Sequence, residues 1–205
     1  MAEQSTCGMI LLAAGASQRM GRPKQLLPIQ GKPLVRHVVE NVLPAGFFPV
    51  VVVLGACAGE VQKVLEGLPV VMTVNPGWAE GMGSSLRAGV ATALRLLPGL
   101  KGLIVALADQ PDLRAMHVEQ IAREQRRTGQ TMVAWECEGV PMPPVFFGVE
   151  HFQYLLALPG DTGARALLRS AGAALAVVHG ETLTDLDTPA DYEVFMRSTK
   201  IDSQQ

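Results

Sequence analysis

Three basic side chains fall within six positions near the start of the chain, at Arg19, Arg22 and Lys24. They belong to a loop rich in small residues, LAAGASQRMGRPK at 12–24, which follows an apolar run. Such a loop leaves backbone N–H groups unpaired, and these groups together with the cations suit a phosphate. The loop matches neither the Walker pattern GxxxxGK[ST] nor the dinucleotide fingerprint GxGxxG. An ordinary surface turn with solvated charges stays an alternative.

Asp109 directly follows the apolar run 103–108 and is a candidate ligand for a metal–nucleotide complex. We expect it at the carboxyl end of a central parallel strand, where open α/β sheets bind ligands. A carboxylate across from a basic loop is what a Mg²⁺–nucleotide complex needs. A turn-forming role for Asp109 is the alternative. Asp112, just before Leu113, is predicted to be a helix N-cap.

An acidic segment near the end of the chain, DLDTPAD at 185–191, resembles the start of an EF-hand loop, but Ala190 stands where that loop requires glycine. The same residues fit a helix start, with Thr188 at the N-cap, proline at the first helical position and Asp191 at the third. Asp191 is therefore interpreted as structural. Asp187 lies at the end of the preceding segment and has no part in this helix start, so its carboxylate could bind a ligand.

Two glycine-containing segments are predicted to begin helices, GMGSS at 81–85 and GDTGAR at 160–165. Ser84 and Ser85 could cap the first helix, and the same N–H groups could equally hold nucleotide oxygens. Asp161 is predicted to cap the second helix.

The elements that must position these residues alternate along the chain. Short apolar runs without polar alternation are typical of strands buried on both faces. Predicted strands in the first half are Cys7 to Ala14, Pro49 to Leu54, Val70 to Val74 and Gly102 to Ala108, with helices at 33–43, 59–65, 84–97 and 113–128. In the second half we predict strands at 131–135, 144–147 and 174–178 and helices near 151–158, 162–171 and from Pro189. This alternation predicts an α/β protein with a mainly parallel sheet.

Composition restricts the class of protein. The 205 residues, 48% of them hydrophobic, suffice for one core, so we predict a single domain over 1–200 and a flexible tail over 201–205. A net charge of −2 argues against nucleic acid as a partner. Three cysteines without a CxxC pair argue against a disulfide framework or a zinc ribbon. The apolar runs are too short to span a bilayer, and no secretory signal is visible, so we expect a cytoplasmic protein that does not bind membranes.

The first loop, as LAAG-x3-RMG-x2-K, resembles the signature of the MobA-like NTP transferase superfamily, and the chain is most similar to the molybdenum cofactor cytidylyltransferase family. Further segments that match in the same order are NPGWAEGMGSSL at 75–86, DQP at 109–111, GDTGAR at 160–165 and DLDTPAD at 185–191. The resemblance covers nearly the whole chain. It implies a three-layer, Rossmann-like nucleotidyltransferase fold of the GT-A type.

The resemblance also implies a role for each motif. Arg19, Lys24 and Asp109 are the implied catalytic residues, and Asp109 with Asp187 would hold Mg²⁺, with Mn²⁺ as an alternative. The implied nucleotide-binding residues are Leu12, Ala13, Ala14, Gly15, Lys24, Gly81, Ser84 and Ser85. The implied acceptor-binding residues are Pro141, Asp161 and Arg165. Segment 138–144 departs from the family pattern, in which Arg-Gly and then His or Asn precede a proline, so basic groups for an anionic pterin phosphate are missing there.

The implied reaction is transfer of CMP from CTP to the terminal phosphate of molybdopterin or the molybdenum cofactor, with release of pyrophosphate. CTP is favoured because LAAG accompanies CTP users in this superfamily, whereas LAGG accompanies guanylyltransferases. A target molybdoenzyme would be the protein partner. Two alternatives stay open. One is the same chemistry on another phosphorylated small molecule such as a sugar phosphate, and the other is a non-catalytic protein that binds and delivers the molybdenum cofactor.

Overall fold

The computed structural model describes residues 6–161, 163, 165–170 and 172–202, which form one central sheet with helices on both faces. Its strands, with a small separate hairpin formed by β2 and β3, are β1 Cys7–Ala13, β2 Pro28–Ile29, β3 Lys32–Pro33, β4 Val50–Leu54, β5 Val71–Val74, β6 Gly102–Leu107, β7 Met132–Cys137, β8 Val140–Gly148 and β9 Leu175–His179. The order across the sheet is β5-β4-β1-β6-β8-β7-β9. Four of its neighbouring pairs are parallel, and β8 runs antiparallel to both β6 and β7.

The helices are α1 Leu34–Val42, α2 Ala58–Leu65, α3 Met82–Leu96, α4 Ala115–Thr128, α5 Phe152–Leu156, α6 Arg165–Ser170 and α7 Pro189–Asp202. Strand β1 alternates between the two sheet faces, and Met9, Ile10 and Leu11 are all fully buried. One face packs against α1, α2, α4 and α7, and the other against α3, α5 and α6. Each such buried side chain contributes about 1.5–3 kcal/mol. The predicted three-layer α/β class with a mainly parallel sheet is confirmed.

Two predicted helix starts are wrong. Helix α4 begins at Ala115, so its N-cap is Arg114 and not Asp112. The chain first makes a turn, in which the Leu113 N–H donates to the Gln110 carbonyl oxygen, and the Arg114 N–H then donates to His117 Nδ1 at 3.0 Å. Helix α6 begins at Arg165, four residues after the Asp161 that was predicted to cap it.

The start of α7 follows the prediction closely. The Thr188 N–H donates to Asp191 Oδ2 at 2.7 Å, and the Asp191 N–H donates to Thr188 Oγ1 at 3.2 Å, which is the reciprocal pattern of a capping box. The helix is longer than expected and runs through Asp202, and 203–205 lie outside the described residues. Among the residues that the structure covers, no helix has the length and apolar character needed to cross a membrane.

Candidate active site

A cavity of about 680 Å³ opens at the carboxyl ends of β1 and β6. Its walls come from the loop after β1, the start of α3, the residue that follows β6 and the segment before α7. Because β1 and β6 are parallel neighbours, their carboxyl ends meet at one edge of the sheet. This is the edge at which open α/β sheets bind ligands.

The loop after β1 is folded around the side chain of Gln25, which is only 3% exposed. Its Nε2 donates to the carbonyl oxygens of Ala13 at 3.1 Å and Gly15 at 2.7 Å. The Lys24 N–H donates to Ser17 Oγ at 3.0 Å, and Ser17 itself adopts a left-handed backbone with φ of 56°. These bonds close the loop on itself and bring Lys24 back toward the strand end.

The loop packs through Ala14 against Gly55, the residue that follows β4. A Cβ at Gly55 would lie 2.4 Å from the Ala14 carbonyl oxygen and 2.7 Å from Trp78 Cβ, so only glycine permits this approach. The Ala56 N–H donates to the same Ala14 oxygen at 3.1 Å. Trp78, half-buried, thus packs against the first loop and also lines the cavity.

Oppositely charged groups converge in the cavity. Lys24 Nζ donates to Asp109 Oδ2 at 2.5 Å and to Asp187 Oδ1 at 2.8 Å, and the Lys24 side chain is 14% exposed. Arg19 Nη2 donates to Asp187 Oδ2 at 2.7 Å from a largely exposed position. These four groups come from parts of the chain up to 168 positions apart.

The close contacts in this cluster shift the pKa values of Lys24 and Asp187. The hydrogen bond from Lys24, aided by the charge of Arg19, lowers the pKa of Asp187 below its usual value, although partial burial opposes the shift. Burial alone would lower the pKa of Lys24, but Asp109 and Asp187 together outweigh burial and raise it. Both shifts favour the charged forms of Lys24 and Asp187 at neutral pH, and the lysine ammonium bridges the carboxyl groups of Asp109 and Asp187.

A third carboxylate, Asp185, lies on the same cavity wall. Burial is the main cause that raises its pKa, followed by the negative charge of Asp109, whereas a hydrogen bond from Gln110 Nε2 at 2.9 Å opposes the rise. Asp185 was not among the site residues predicted from the sequence. The signal that could have indicated Asp185 is its place two residues before Asp187, in the same segment before α7.

Asp109 and Asp187 fit a hard divalent cation by the chemistry of their oxygens. Both contact the same ammonium, so the two carboxylates already converge on one cationic centre. The second oxygen of Asp109 is buried and has no hydrogen-bond donor among the described residues. The described residues contain no group of three or more His, Cys, Asp or Glu placed to hold a metal alone. Mg²⁺ is commonly held by one or two carboxylates plus substrate phosphates, and two carboxylates meet that requirement.

The start of α3 forms the wall opposite the charged cluster. Its N-cap is Gly81, so Ser84 and Ser85 lie within the first turn and do not cap it. Ser84 Oγ donates to the Gly81 carbonyl oxygen at 2.8 Å and accepts from Asn75 Nδ2 at 2.8 Å, which turns it into the protein. Ser85 lines the cavity.

Gly160 is fastened to this wall through close contacts between glycines. Gly81 has φ of 118°, and a Cβ there would lie 2.6 Å from the Gly160 carbonyl oxygen. A Cβ on Gly160 would in turn lie 2.6 Å from Glu80 Cβ, and the Gly83 N–H donates to the Gly160 oxygen at 2.9 Å. This contact brings Asp161 to the cavity rim.

Most of the predicted site residues meet in this cavity. Those that line it are Leu12, Ala13, Ala14, Gly15, Arg19, Lys24, Gly81, Ser85, Asp109, Asp161 and Asp187. Ser84 faces the interior, and Pro141 lies in β8 opposite Glu136, away from the lining residues. Arg165 is the first residue of α6, and its side chain lies outside the described residues. Lining residues that sequence analysis did not assign to the site include Ser17, Gln25, Trp78, Met82 and Asp185.

Cations on the first loop face carboxylates at the end of β6 and before α7, within one cavity at the carboxyl edge of a parallel sheet. This arrangement belongs to the nucleotidyltransferase class of α/β proteins. Residues 9–177 match the family model described as the MobA-like NTP transferase domain, and the chain belongs to this family.

Two curated proteins are similar over most of the chain. Nicotine blue oxidoreductase of Paenarthrobacter nicotinovorans is 36% identical over 167 residues, 78% of this chain and 80% of that protein. Purine catabolism protein PucB of Bacillus subtilis strain 168 is 30% identical over 202 residues, 92% of this chain and 95% of that protein. Their names describe different activities.

Solved structures share the fold over nearly the full length. The Mycobacterium sp. strain JC1 homologue of Mycobacterium tuberculosis Rv0371c superposes with a TM-score of 0.81 at 29% identity, covering 95% of this chain and 97% of that one. Rv0371c in complex with manganese, from M. tuberculosis H37Rv, gives 0.76 at 26% identity, covering 94% of this chain and 98% of that one. These matches agree with the predicted nucleotidyltransferase fold.

Proposed function

We propose that this chain transfers CMP from CTP to the terminal phosphate of molybdopterin or the molybdenum cofactor and releases pyrophosphate. The observation that carries the proposal is the cluster of Lys24, Arg19, Asp109 and Asp187 on one cavity wall, beside the folded first loop. Membership of the MobA-like family supports the reaction class. The choice of CTP and of the acceptor is our inference from the motifs.

In the proposed reaction an oxygen of the acceptor phosphate forms a bond to the α-phosphorus of CTP. The bond from that phosphorus to the bridging oxygen of the β-phosphate breaks in line, and pyrophosphate leaves with the electron pair. Because the nucleophile is already an anion, the protein needs no general base. Catalysis then consists of positioning and charge neutralisation.

Each charged residue has a part in this scheme. Lys24 and Arg19, with the N–H groups of Ala14 and Gly15, would stabilise the charge that develops on pyrophosphate. Asp109 and Asp187 would hold a divalent cation, whose chemistry is to polarise phosphate oxygens and neutralise their charge. A structural relative was solved in complex with manganese, which supports the involvement of a divalent cation, with Mg²⁺ or Mn²⁺ as the candidates.

We assign nucleotide choice to Ala14, a buried residue that lines the cavity. In this proposal the methyl group narrows the space for the base and favours cytosine over guanine. Ala14 has little freedom to move away, because its backbone packs tightly on Gly55. Gly81 and Ser85 on the opposite wall would contact the nucleotide from the other side.

Acceptor binding is assigned to the GDTGAR motif at 160–165, from which Asp161 lines the cavity. Arg165 and Pro141 belong to the same proposal through the resemblance. Because the relatives' names cover more than one activity, the acceptor is the part of the proposal that needs the broadest test.

The test is pyrophosphate release on mixing the protein with Mg²⁺, CTP and molybdenum cofactor. Parallel reactions replace CTP with GTP, or the cofactor with a sugar phosphate. The proposal is supported if pyrophosphate is released with CTP and molybdenum cofactor but not in the parallel reactions. Release only with a sugar phosphate points to another acceptor, and cofactor binding without pyrophosphate release points to a delivery protein, so either result overturns it. Asp109→Asn should abolish release, whereas Glu40→Gln, which changes a carboxylate in an ion pair on α1, should preserve it.

A further inference from the structure

Gln110 is fully buried and directly follows Asp109, yet its amide group reaches a distant part of the chain. Its Nε2 donates to Asp185 Oδ1 at 2.9 Å, across 75 positions. A second bond runs beside it, from the Leu186 N–H to the Asp109 carbonyl oxygen at 3.1 Å. Together these bonds fasten the end of β6, which carries Asp109, to the segment that carries Asp187.

Packing alone gives no reason for an amide at this position. Gln110 Oε1 is buried without a hydrogen-bond donor among the described residues, and a buried unpaired acceptor costs free energy that an apolar side chain of similar length would avoid. The contact that an apolar residue could not make is the bond to Asp185. The amide is therefore explained by its partner and not by the core around it.

The segment that Gln110 holds is constrained on both sides of Asp187. On one side, Asp185 is bonded to Gln110 and the Leu186 side chain is fully buried. On the other side, the Asp187 N–H donates to Asp191 Oδ2 at 3.2 Å. The Asp187 carboxylate is thereby presented to Lys24.

We infer that Gln110 is a positioning residue, which sets the geometry of the Asp109–Asp187 pair through its bond to Asp185. The inference rests on the proposed function, in which that pair holds the divalent cation. Gln110 contacts neither carboxylate of the pair in this scheme. It acts through the segment that it fastens, as outer partners do around many metal sites.

The test measures Mn²⁺ binding to the full chain without nucleotide, by the loss of the free-ion electron paramagnetic resonance signal. Gln110→Met keeps the length of the side chain and removes the bond. We expect its Kd for Mn²⁺ to rise by roughly 10–100-fold, the usual effect of losing an outer partner. Turnover should fall at low Mn²⁺ and recover as Mn²⁺ is raised. Loss of stability alone would not produce this recovery.

Thr92→Val is the matched control, since Thr92 is also buried and donates to another side chain, Thr73 Oγ1 at 3.1 Å, away from the cavity. It should leave Mn²⁺ affinity unchanged. In an Asp185→Ala background, Gln110→Met should add no further loss, because the bond is already absent. If Gln110→Met does not fold, Asp185→Ala carries the test, because it removes the same hydrogen bond from the other partner and should itself weaken Mn²⁺ binding.

Unchanged Mn²⁺ affinity in folded Gln110→Met, or further weakening in the Asp185→Ala background, overturns the inference. Unchanged affinity in Asp185→Ala does so as well. If the unaltered protein binds Mn²⁺ but releases no pyrophosphate from CTP, the proposed function fails while the Mn²⁺ comparison still decides the role of Gln110. If the unaltered protein releases pyrophosphate but binds no Mn²⁺ without nucleotide, the inference about Gln110 is overturned and the proposed function stands.

Discussion

Replacing Lys24 by methionine should have two opposite effects, one on turnover and one on metal binding. Methionine keeps most of the length of the side chain but removes the ammonium that contacts Asp109 and Asp187. Without a bound cation, that ammonium neutralises the two carboxylates. Its removal therefore leaves a pair of adjacent negative charges, which favours a divalent cation, and it also removes a donor to the phosphates.

The sizes of both effects follow from the geometry. A lost donor to developing charge typically costs about 2.7–4 kcal/mol of barrier, so turnover should fall at least roughly a hundredfold. Two unit charges about 4 Å apart interact by about 4 kcal/mol at an effective dielectric of 20. Because Asp187 is 33% exposed, solvent screening reduces this value. We therefore expect Mn²⁺ binding without nucleotide to tighten by about tenfold, or about 1.4 kcal/mol.

The assay pairs a Mn²⁺ titration with pyrophosphate release at saturating metal. Lys32→Met is the matched control, because Lys32 also forms an ion pair with a carboxylate, Glu40, but on the surface beside α1. It should change neither quantity. Unchanged turnover in Lys24→Met would refute the role of Lys24 in charge stabilisation. Unchanged or weaker Mn²⁺ binding would refute the view that its ammonium competes with the metal.

Three other changes test separate parts of the structure. Asp109→Ala should abolish turnover with little effect on thermal unfolding, and normal activity would contradict the metal assignment. Gly81→Ala should lower the free energy of unfolding in urea by about 1–3 kcal/mol, because the φ of Gly81 is 118° and a Cβ there would meet the Gly160 carbonyl oxygen. Gly59→Ala is the control, since a Cβ at Gly59 on α2 would lie in open space and should not destabilise the fold. The pKa of Asp187 is lowered from 3.8, chiefly by Lys24, so the ionised carboxylate stabilises the fold above pH 3.8. Asp187→Asn should therefore have a lower free energy of unfolding than the unaltered protein at pH 7. The difference in free energy of unfolding should shrink as the pH falls below 3.8.

The first half of the fold could be predicted from the sequence because its strands are buried on both faces. The predicted runs for β1, β4, β5 and β6 agree with the structure within one residue at each end. The second half was harder. Strand β8 extends over Val140–Gly148, whereas only 144–147 was predicted, because three prolines interrupt its apolar pattern. A register shift at Ala134 and Trp135 further breaks the regular pairing with β7.

The candidate site could be predicted only where a local motif carries it. Lys24 and Asp109 stand in short, distinctive segments, and the structure brings them into contact. Gln25, Gln110 and Asp185 stand in or beside such segments, but their roles could not be predicted, because each depends on a hydrogen bond that forms only on folding. The error at the start of α4 has a local cause, because the Arg114 N–H donates to His117 Nδ1 three residues downstream and the helix begins after Arg114, not after Asp112.

The contact between Gly81 and Gly160 has a consequence for recombining this protein with its relatives. The two glycines lie in the halves of the chain assigned to the donor nucleotide and to the acceptor, and each lacks room for a Cβ because of the other segment. A chimera that takes 160–165 from another parent must therefore keep glycine at both 81 and 160. Otherwise Gly160 and Asp161 will be displaced from the start of α3. Under the proposed assignment of this segment to the acceptor, exchange of acceptor specificity is thus limited at this one backbone junction.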